Sequence, residues 1–396
     1  MNVSPSPRKR VASHIASIPK SGIRDFFEIV STMKDVISLG IGEPDFVTPW
    51  HIREAMIYAL NKGVTSYTSN LGLLQLRQEV CRYVTKEFGA PEYDPARECI
   101  ITVGVSEALD LALRAILEPG DEVVYHEPCY VSYRPSITMA HAIPVAVVTR
   151  EKDDFALRPE ALEAAITPRT KALLLNYPNN PTGAILTAEQ KQAIARIAVR
   201  HDLVVLTDEI YTELSYEDVS QTIAALPGMR ERTIFLNGFS KAYAMTGSRI
   251  GYACGPFDII DAMMKIHQYS MLCASSFVQL GALEALKNGS APRHAMWNEY
   301  HQRRNVIVKR LNEMGLPCFM PRGAFYAFPR ISHLGISSKD FAFGLLEQHK
   351  VAVVPGSAFG TCGEGYVRCA YATGLEDIEE AMRRMKIYVE SLQKKK

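Results

Sequence analysis

Four short runs hold the residue types from which an active site could be built. They are Gly104-Val105-Ser106, Asn179-Asn180-Pro181-Thr182-Gly183, Asp208-Glu209-Ile210-Tyr211 and Gly238-Phe239-Ser240-Lys241, the last continuing to Met245-Thr246-Gly247-Ser248-Arg249. A lysine amine is a nucleophile or base once neutral, and a Gly-Ser step opening a helix leaves N–H groups free for an anion. Each run also has a plain structural explanation: an N-cap, a turn, a helix-capping aspartate, a solvated lysine. Position sets them apart. Each follows a segment that reads as a strand, and open parallel sheets build their sites at the carboxyl ends of strands.

Other chemistries find less support. Gly104-Val105-Ser106-Glu107-Ala108 nearly spells the nucleophile elbow of hydrolases, but the fifth residue is Ala and no Asp and His pair follows in a convincing place. Ser17-x-x-Lys20 and Ser31-x-x-Lys34 lack a following Lys-Thr-Gly. The ten histidines are scattered without a His-Glu-x-x-His, so a catalytic metal is not expected. The eight cysteines include no Cys-x-x-Cys, which excludes a zinc ribbon and a thioredoxin-like motif; scattered cysteines in a long chain fit a reduced, cytoplasmic enzyme.

The elements that must position the four runs alternate in type. Cys99–Val103, Glu122–Tyr125, Lys171–Asn176, Leu203–Leu206, Thr233–Leu236 and Ile250–Cys254 are short, apolar and rich in β-branched residues. Ser106–Leu117 repeats its apolar residues at helical spacing and stops at Glu118-Pro119-Gly120-Asp121; Thr187–His201 is also helical. This β-α-β alternation predicts an α/β fold with a mostly parallel sheet. After about residue 288 the texture shifts to a charged helix, Arg293–Met314, with strands at Ala324–Phe328, Val351–Val354 and Tyr366–Tyr371 and helices at Phe341–His349 and Leu375–Gln393. The expected division is a mobile segment 1–14, an arm 15–45, a large domain 46–288 and a small α+β domain 289–396.

Composition is that of a globular protein. The 396 residues are 47% hydrophobic and 22% charged, and 44 basic residues against 43 acidic ones leave a net charge of +1. Such a balance offers no field for nucleic acid, and no apolar run is long enough to span a bilayer.

Taken together, Asn176–Gly183 (NYPNNPTG), Asp208-Glu209-Ile210-Tyr211 and Ser240-Lys241-x7-Arg249 resemble the class I aminotransferases, pyridoxal-phosphate enzymes of fold type I. Gly42-Glu43-Pro44-Asp45-Phe46, Tyr67-x4-Gly72, Ala324-Phe325-Tyr326 and Val367-Arg368 match in the same order, so the resemblance spans roughly residues 20 to 392. It is strongest toward the I-gamma group, which includes aspartate, aromatic and N-acetyl-diaminopimelate aminotransferases.

The resemblance implies roles. Lys241 would hold pyridoxal 5'-phosphate covalently and shuttle the substrate proton. Asp208 would pair with the pyridine N–H, and Tyr211 and Asn180 would contact the ring hydroxyl oxygen. Val105, Ser106, Ser240 and Arg249 would take the phosphate, with Tyr67 reaching it from the second chain of a homodimer with shared sites. Tyr130 would stack on the ring. Arg368 would grip the substrate α-carboxylate, supported by Asn180 and the Gly42 backbone, and Ile23 would lie near the substrate side chain. The implied reaction is ping-pong transfer from an aspartate or N-acetyl-LL-diaminopimelate type donor to 2-oxoglutarate. An aromatic donor or a β-lyase reaction is the alternative. Three departures stand out: Ser248 where relatives usually carry Trp, Gly238 where some carry Ser, and Ser106 where some aspartate-specific relatives place Lys.

Overall fold

The computed structural model describes residues 10–19, 33–217 and 221–394. Its strands are β1 Ile37–Ser38, β2 Cys99–Thr102, β3 Glu122–Glu127, β4 Ile143–Val148, β5 Thr170–Asn176, β6 Val204–Asp208, β7 Thr233–Gly238, β8 Gly251–Cys254, β9 Tyr326–Ala327, β10 Val351–Ala352, β11 Val354–Pro355 and β12 Val367–Ala370. Strands β2 to β8 form one sheet in the order β2-β8-β7-β6-β5-β3-β4. The pairs β3–β4, β3–β5, β5–β6 and β6–β7 are parallel, while β8 runs against both β7 and β2. The mostly parallel sheet expected from the alternation is therefore present. The exception, β8, follows β7 through a loop and one short turn instead of a crossover helix, and such a connection returns the chain antiparallel.

Apolar runs buried on both faces explain why the strands lie where they do. Leu173, Leu174, Val205, Leu206, Ile234 and Leu236 are all fully buried, which only a sheet covered on both sides permits. The covering helices obey ordinary end rules. Thr187 and Gln190 form a reciprocal capping box that starts the helix Ala188–Arg200. The helix expected from Ser106 begins two residues earlier and spans Gly104–Ile116, so Gly104, Val105 and Ser106 are its first turn. The strand β4 and the helices Trp50–Asn61, Leu74–Phe88, Tyr133–Met139, Phe257–Ser270 and Ser276–Asn288 complete this layer arrangement.

A second region carries the short strands. Helix Ser290–Glu313 leads to an antiparallel sheet β11-β12-β9, and β1 pairs in parallel with β10. The strand expected at Ala324–Phe328 is confined to Tyr326–Ala327. The run Val351–Val354 divides, Val351–Ala352 pairing with β1 and Val354–Pro355 with β12. The N-terminal chain returns beside this region: Ala370 N donates to Leu39 O at 2.6 Å. Of segment 1–14, residues 1–9 lie outside the described residues, and Ser13–Ala16 is one turn of helix whose His14 ring stands 4.2 Å from that of His141.

Candidate active site

The carboxyl ends of β5, β6 and β7 place three of the four runs side by side. Asn176 and Asp208 are register partners at the ends of β5 and β6, and Lys241 follows β7 by three residues. The fourth run opens the helix after β2, and Thr102 is paired to Gly251, two residues after Arg249. Above them the small sheet contributes Tyr326 from β9 and Arg368 from β12, neighbours through the pair Ala370–Tyr326. The result is a cavity of about 1050 Å³. Its walls include Gly42, Val105, Ser106, Tyr130, Asn180, Asp208, Tyr211, Ser240, Lys241, Arg249 and Arg368, which is all but two of the residues singled out from the sequence. Tyr67 stands outside it at 80% exposure, and Ile23 lies outside the described residues.

Lys241 Nζ donates to the Gly42 carbonyl at 2.6 Å. Withdrawal from water pulls its pKa down to about 8, and the cations Arg368 and Arg249 act the same way against the opposing pull of Glu43. An amine so placed sheds its proton near pH 8, so the neutral, reactive form is already substantially populated near physiological pH. Asp208 is buried and accepts hydrogen bonds from the Tyr133 hydroxyl at 2.8 Å and the Ile210 N–H at 3.2 Å. Burial pushes its carboxyl up to about 6, the Tyr133 hydrogen bond opposing that rise. Asn176 locks the two strand ends: its amide nitrogen donates to the Asp208 carbonyl at 2.9 Å, and its Oδ1 accepts from Asn180 N at 3.2 Å.

Arg368 is 4% exposed inside an apolar strand. One terminal nitrogen donates to Asn180 Oδ1 at 2.9 Å and the other to the Gly40 carbonyl at 2.5 Å. Gly40 accepts from Arg368 because the β1–β10 pairing lays Leu39 and Gly40 against β12; Gly42, expected beside the substrate carboxylate, lines the cavity and accepts from Lys241. Arg368 Nε is buried without a partner, which a native structure rarely tolerates unless something else is meant to bind. The guanidinium lies 4.4 Å from the Tyr326 ring and 4.9 Å from that of Phe359. Tyr211 and Tyr326 share a hydroxyl contact of 2.9 Å. Burial raises the Tyr211 phenol well above its usual range, and Arg368 counters part of that rise.

The helix start at Gly104 is shaped for an anion. Gly104 has φ +74°, and a Cβ there would stand 2.5 Å from an Arg249 terminal nitrogen. Only glycine lets the guanidinium sit against this turn, where unpaired N–H groups and the helix dipole already favour negative charge. Gly238 is explained by the same crowding. A Cβ there would come within 2.9 Å of Gly251 Cα and 3.0 Å of Val105 Cγ2, so a serine side chain has no space without a shift. These features fit pyridoxal 5'-phosphate: a cradle with a cation for its phosphate, a buried carboxylate for its ring nitrogen, and a poised lysine.

Sequence reasoning gave no role to Tyr133, Asn176, Tyr326, Ile18 or Pro19, all of which line the cavity. Tyr326 stood within a quoted motif, and Asn176 opened another. Tyr133 offered no local signal, because its partner Asp208 is 75 residues away.

Fold and site together define a fold type I enzyme that depends on pyridoxal phosphate. Comparison with known proteins narrows the class: residues 34–385 match the family described as aminotransferase class I and II, and the chain belongs to that family. It is 48% identical to an aspartate aminotransferase of Pyrococcus abyssi over 92% of this chain and 94% of that one. It is 45% identical to aromatic-amino-acid aminotransferase 2 of Thermococcus litoralis, covering 95% and 97%. Among solved structures, an aromatic aminotransferase from Pyrococcus horikoshii superposes with a TM-score of 0.89 at 46% identity, covering 93% and 99%. The protein is an aminotransferase, a transferase of nitrogenous groups. Among the described residues no helix is long and apolar enough to cross a membrane.

Proposed function

We propose that this aminotransferase moves the amino group of an L-amino acid to 2-oxoglutarate by a ping-pong exchange, as a cytoplasmic homodimer. Bound pyridoxal phosphate supplies the electron sink that makes the substrate Cα–H acidic. Arg368 binds the α-carboxylate with a planar guanidinium; its buried, unpartnered Nε is the observation that carries this assignment. Asn180 holds that guanidinium in place. The Lys241 amine, its pKa lowered by desolvation, takes the Cα proton when neutral and returns it on the other side of the exchange. Asp208, oriented by the Tyr133 hydroxyl, would pair with the ring nitrogen and keep a proton there. Tyr211 and Asn180 would hydrogen-bond the ring hydroxyl oxygen, Tyr130 would cover the ring, and the first turn at Val105 and Ser106, with Ser240 and Arg249, would anchor the phosphate. Tyr67, exposed and outside its own cavity, serves the partner's site. Movement of the small domain over the substrate excludes water.

Relatives named for aspartate and for aromatic amino acids are almost equally similar, so similarity does not choose the donor. The cavity supports an aromatic donor ahead of an aspartate or N-acetyl-LL-diaminopimelate type. Lys241, Arg249 and Arg368 are its lining cations among the described residues, and each already has a task. Ile18, Leu109, Val131 and Met139 supply an apolar wall instead. The test is a single-turnover absorbance experiment with Asp, Phe, Tyr, Ala and N-acetyl-LL-diaminopimelate. Conversion of the lysine-bound cofactor band to the amine form by Phe and Tyr faster than by Asp supports the reading. Faster conversion by Asp reverses the donor choice, and ammonia release without conversion points to a β-lyase.

A further inference from the structure

Away from the cavity, three thiols distant in sequence meet. Cys81 on helix Leu74–Phe88, Cys99 at the start of β2 and Cys254 at the end of β8 place their Sγ atoms all within 4.8 Å of one another. Cys99 and Cys254 are directly opposed in the antiparallel β2–β8 pair and fully buried, and Cys81 is 6% exposed. All three are free thiols. Their surroundings are apolar, with Val84, Phe235 and Tyr252 in the same cluster. Buried Arg77, one helical turn before Cys81, adds a positive charge. Hydrogen bonds from Cys254 and Cys99 favour a thiolate at Cys81, while burial pushes the other two thiols up. The hydroxyl of Tyr93, 5% exposed and in the same cluster, has no partner.

A buried cysteine is often a small hydrophobe and nothing more. That accounts for burial, but not for three sulfurs converging from three elements beside a cation. We propose that Cys81, Cys99 and Cys254 form a binding site for a soft, thiophilic metal ion, Cu(I). Three thiolates in dry, apolar surroundings select a soft ion over Mg²⁺ or Ca²⁺. Structural zinc sites take four protein ligands, and among the described residues no fourth Cys, His or carboxylate joins these three. Metal–sulfur bonds of about 2.3 Å in a plane put sulfurs about 4 Å apart, within the observed spread. Binding displaces the thiol protons to the buffer and involves no oxidation, and Arg77 offsets part of the thiolate charge.

The site would have a consequence for the cavity. The β2–β8 pair that carries Cys99 and Cys254 at one end carries Thr102 and Gly251 at the other, next to Gly104 and Arg249. An ion held at the cysteine end would tie both strands to helix Leu74–Phe88, at the end of the pair away from the phosphate cradle.

The experiment titrates the reduced, oxygen-free holoenzyme with Cu(I) against a competing Cu(I) chelator, followed by metal analysis and X-ray absorption. The expected result is about one ion per chain in an all-sulfur, three-coordinate shell. Loss of that ion in Cys81→Ala, and its retention in the control Cys273→Ala, complete the case. The cofactor absorbance band reports whether Cys81→Ala has folded; if it has not, the wild-type coordination shell alone decides. No ion retained by the wild type, an ion retained equally by folded Cys81→Ala, or nitrogen and oxygen ligands in the shell would overturn the proposal.

Discussion

Replacing Tyr133 with Phe removes one hydroxyl and leaves the ring, which makes it a clean probe of how Asp208 is tuned. The Tyr133 hydroxyl donates to Asp208 Oδ2 at 2.8 Å, and both side chains are buried. A hydrogen bond to a charged group is worth about 1.5–3 kcal/mol. At 1.36 kcal/mol per pKa unit, its loss raises the Asp208 pKa by about 1 to 2 further units. Burial already holds that carboxyl at about 6, so Tyr133→Phe carries its ionisation through neutrality. Pairing with a protonated ring nitrogen requires the carboxylate, so cofactor affinity should fall as pH drops through the Asp208 pKa. The assay is equilibrium binding of pyridoxal phosphate to apoenzyme across pH, with the half-fall expected about 1 to 2 pH units higher in the variant.

A second readout follows from linkage. The folded pKa of Asp208 lies above its ordinary value of 3.8, so its stability contribution is fully present below about that value and is lost as pH rises through about 6. Tyr133→Phe should therefore lower the apoenzyme melting temperature more at pH 8 than at pH 4. Identical half-fall pH values in both proteins, or equal melting losses at the two pH values, would refute the reasoning that Tyr133 tunes Asp208.

Because the Lys241 amine is held at about 8, the rate of covalent cofactor attachment to apoenzyme should rise with pH and level off above that value; a profile still climbing steeply toward 10 would contradict it. Gly104→Ala forces a side chain onto a positive-φ position and against Arg249, a backbone cost of about 1–2 kcal/mol before the displaced cation is considered. Cofactor affinity should fall by roughly tenfold or more, measured by dialysis, while the KM for the donor changes little. Ser106→Lys places a cation at the cavity wall and should raise kcat/KM for aspartate relative to phenylalanine by about tenfold, a gain of about 1.4 kcal/mol. An unchanged ratio would mean that the distal carboxylate lies elsewhere.

What could be foreseen from the sequence follows the range of each physical signal. Lys241, Asp208 and Asn180 were legible because they follow runs such as Leu173-Leu174-Leu175 and Val205-Leu206, whose two-sided burial announces a parallel strand and therefore a site at its end. Arg368 was legible as a charge inside the apolar strand Val367–Ala370. Contacts with no local component were not. Tyr133 reads as an ordinary core aromatic until the sheet brings Asp208 to it. Gly40 reaches Arg368 only because β1 pairs with β10, more than 300 residues later in the chain. The sense of β8 was equally hidden, since a four-residue apolar strand has the same composition in either direction. Spacing alone leaves the scattered cysteines unrelated, yet that antiparallel strand is what sets Cys254 opposite Cys99 and within reach of Cys81. Local periodicity thus reports which segments bury and where strands end. The pairing of distant segments decides which polar groups meet, and it is there that the tuning of Asp208 and the thiol cluster both reside.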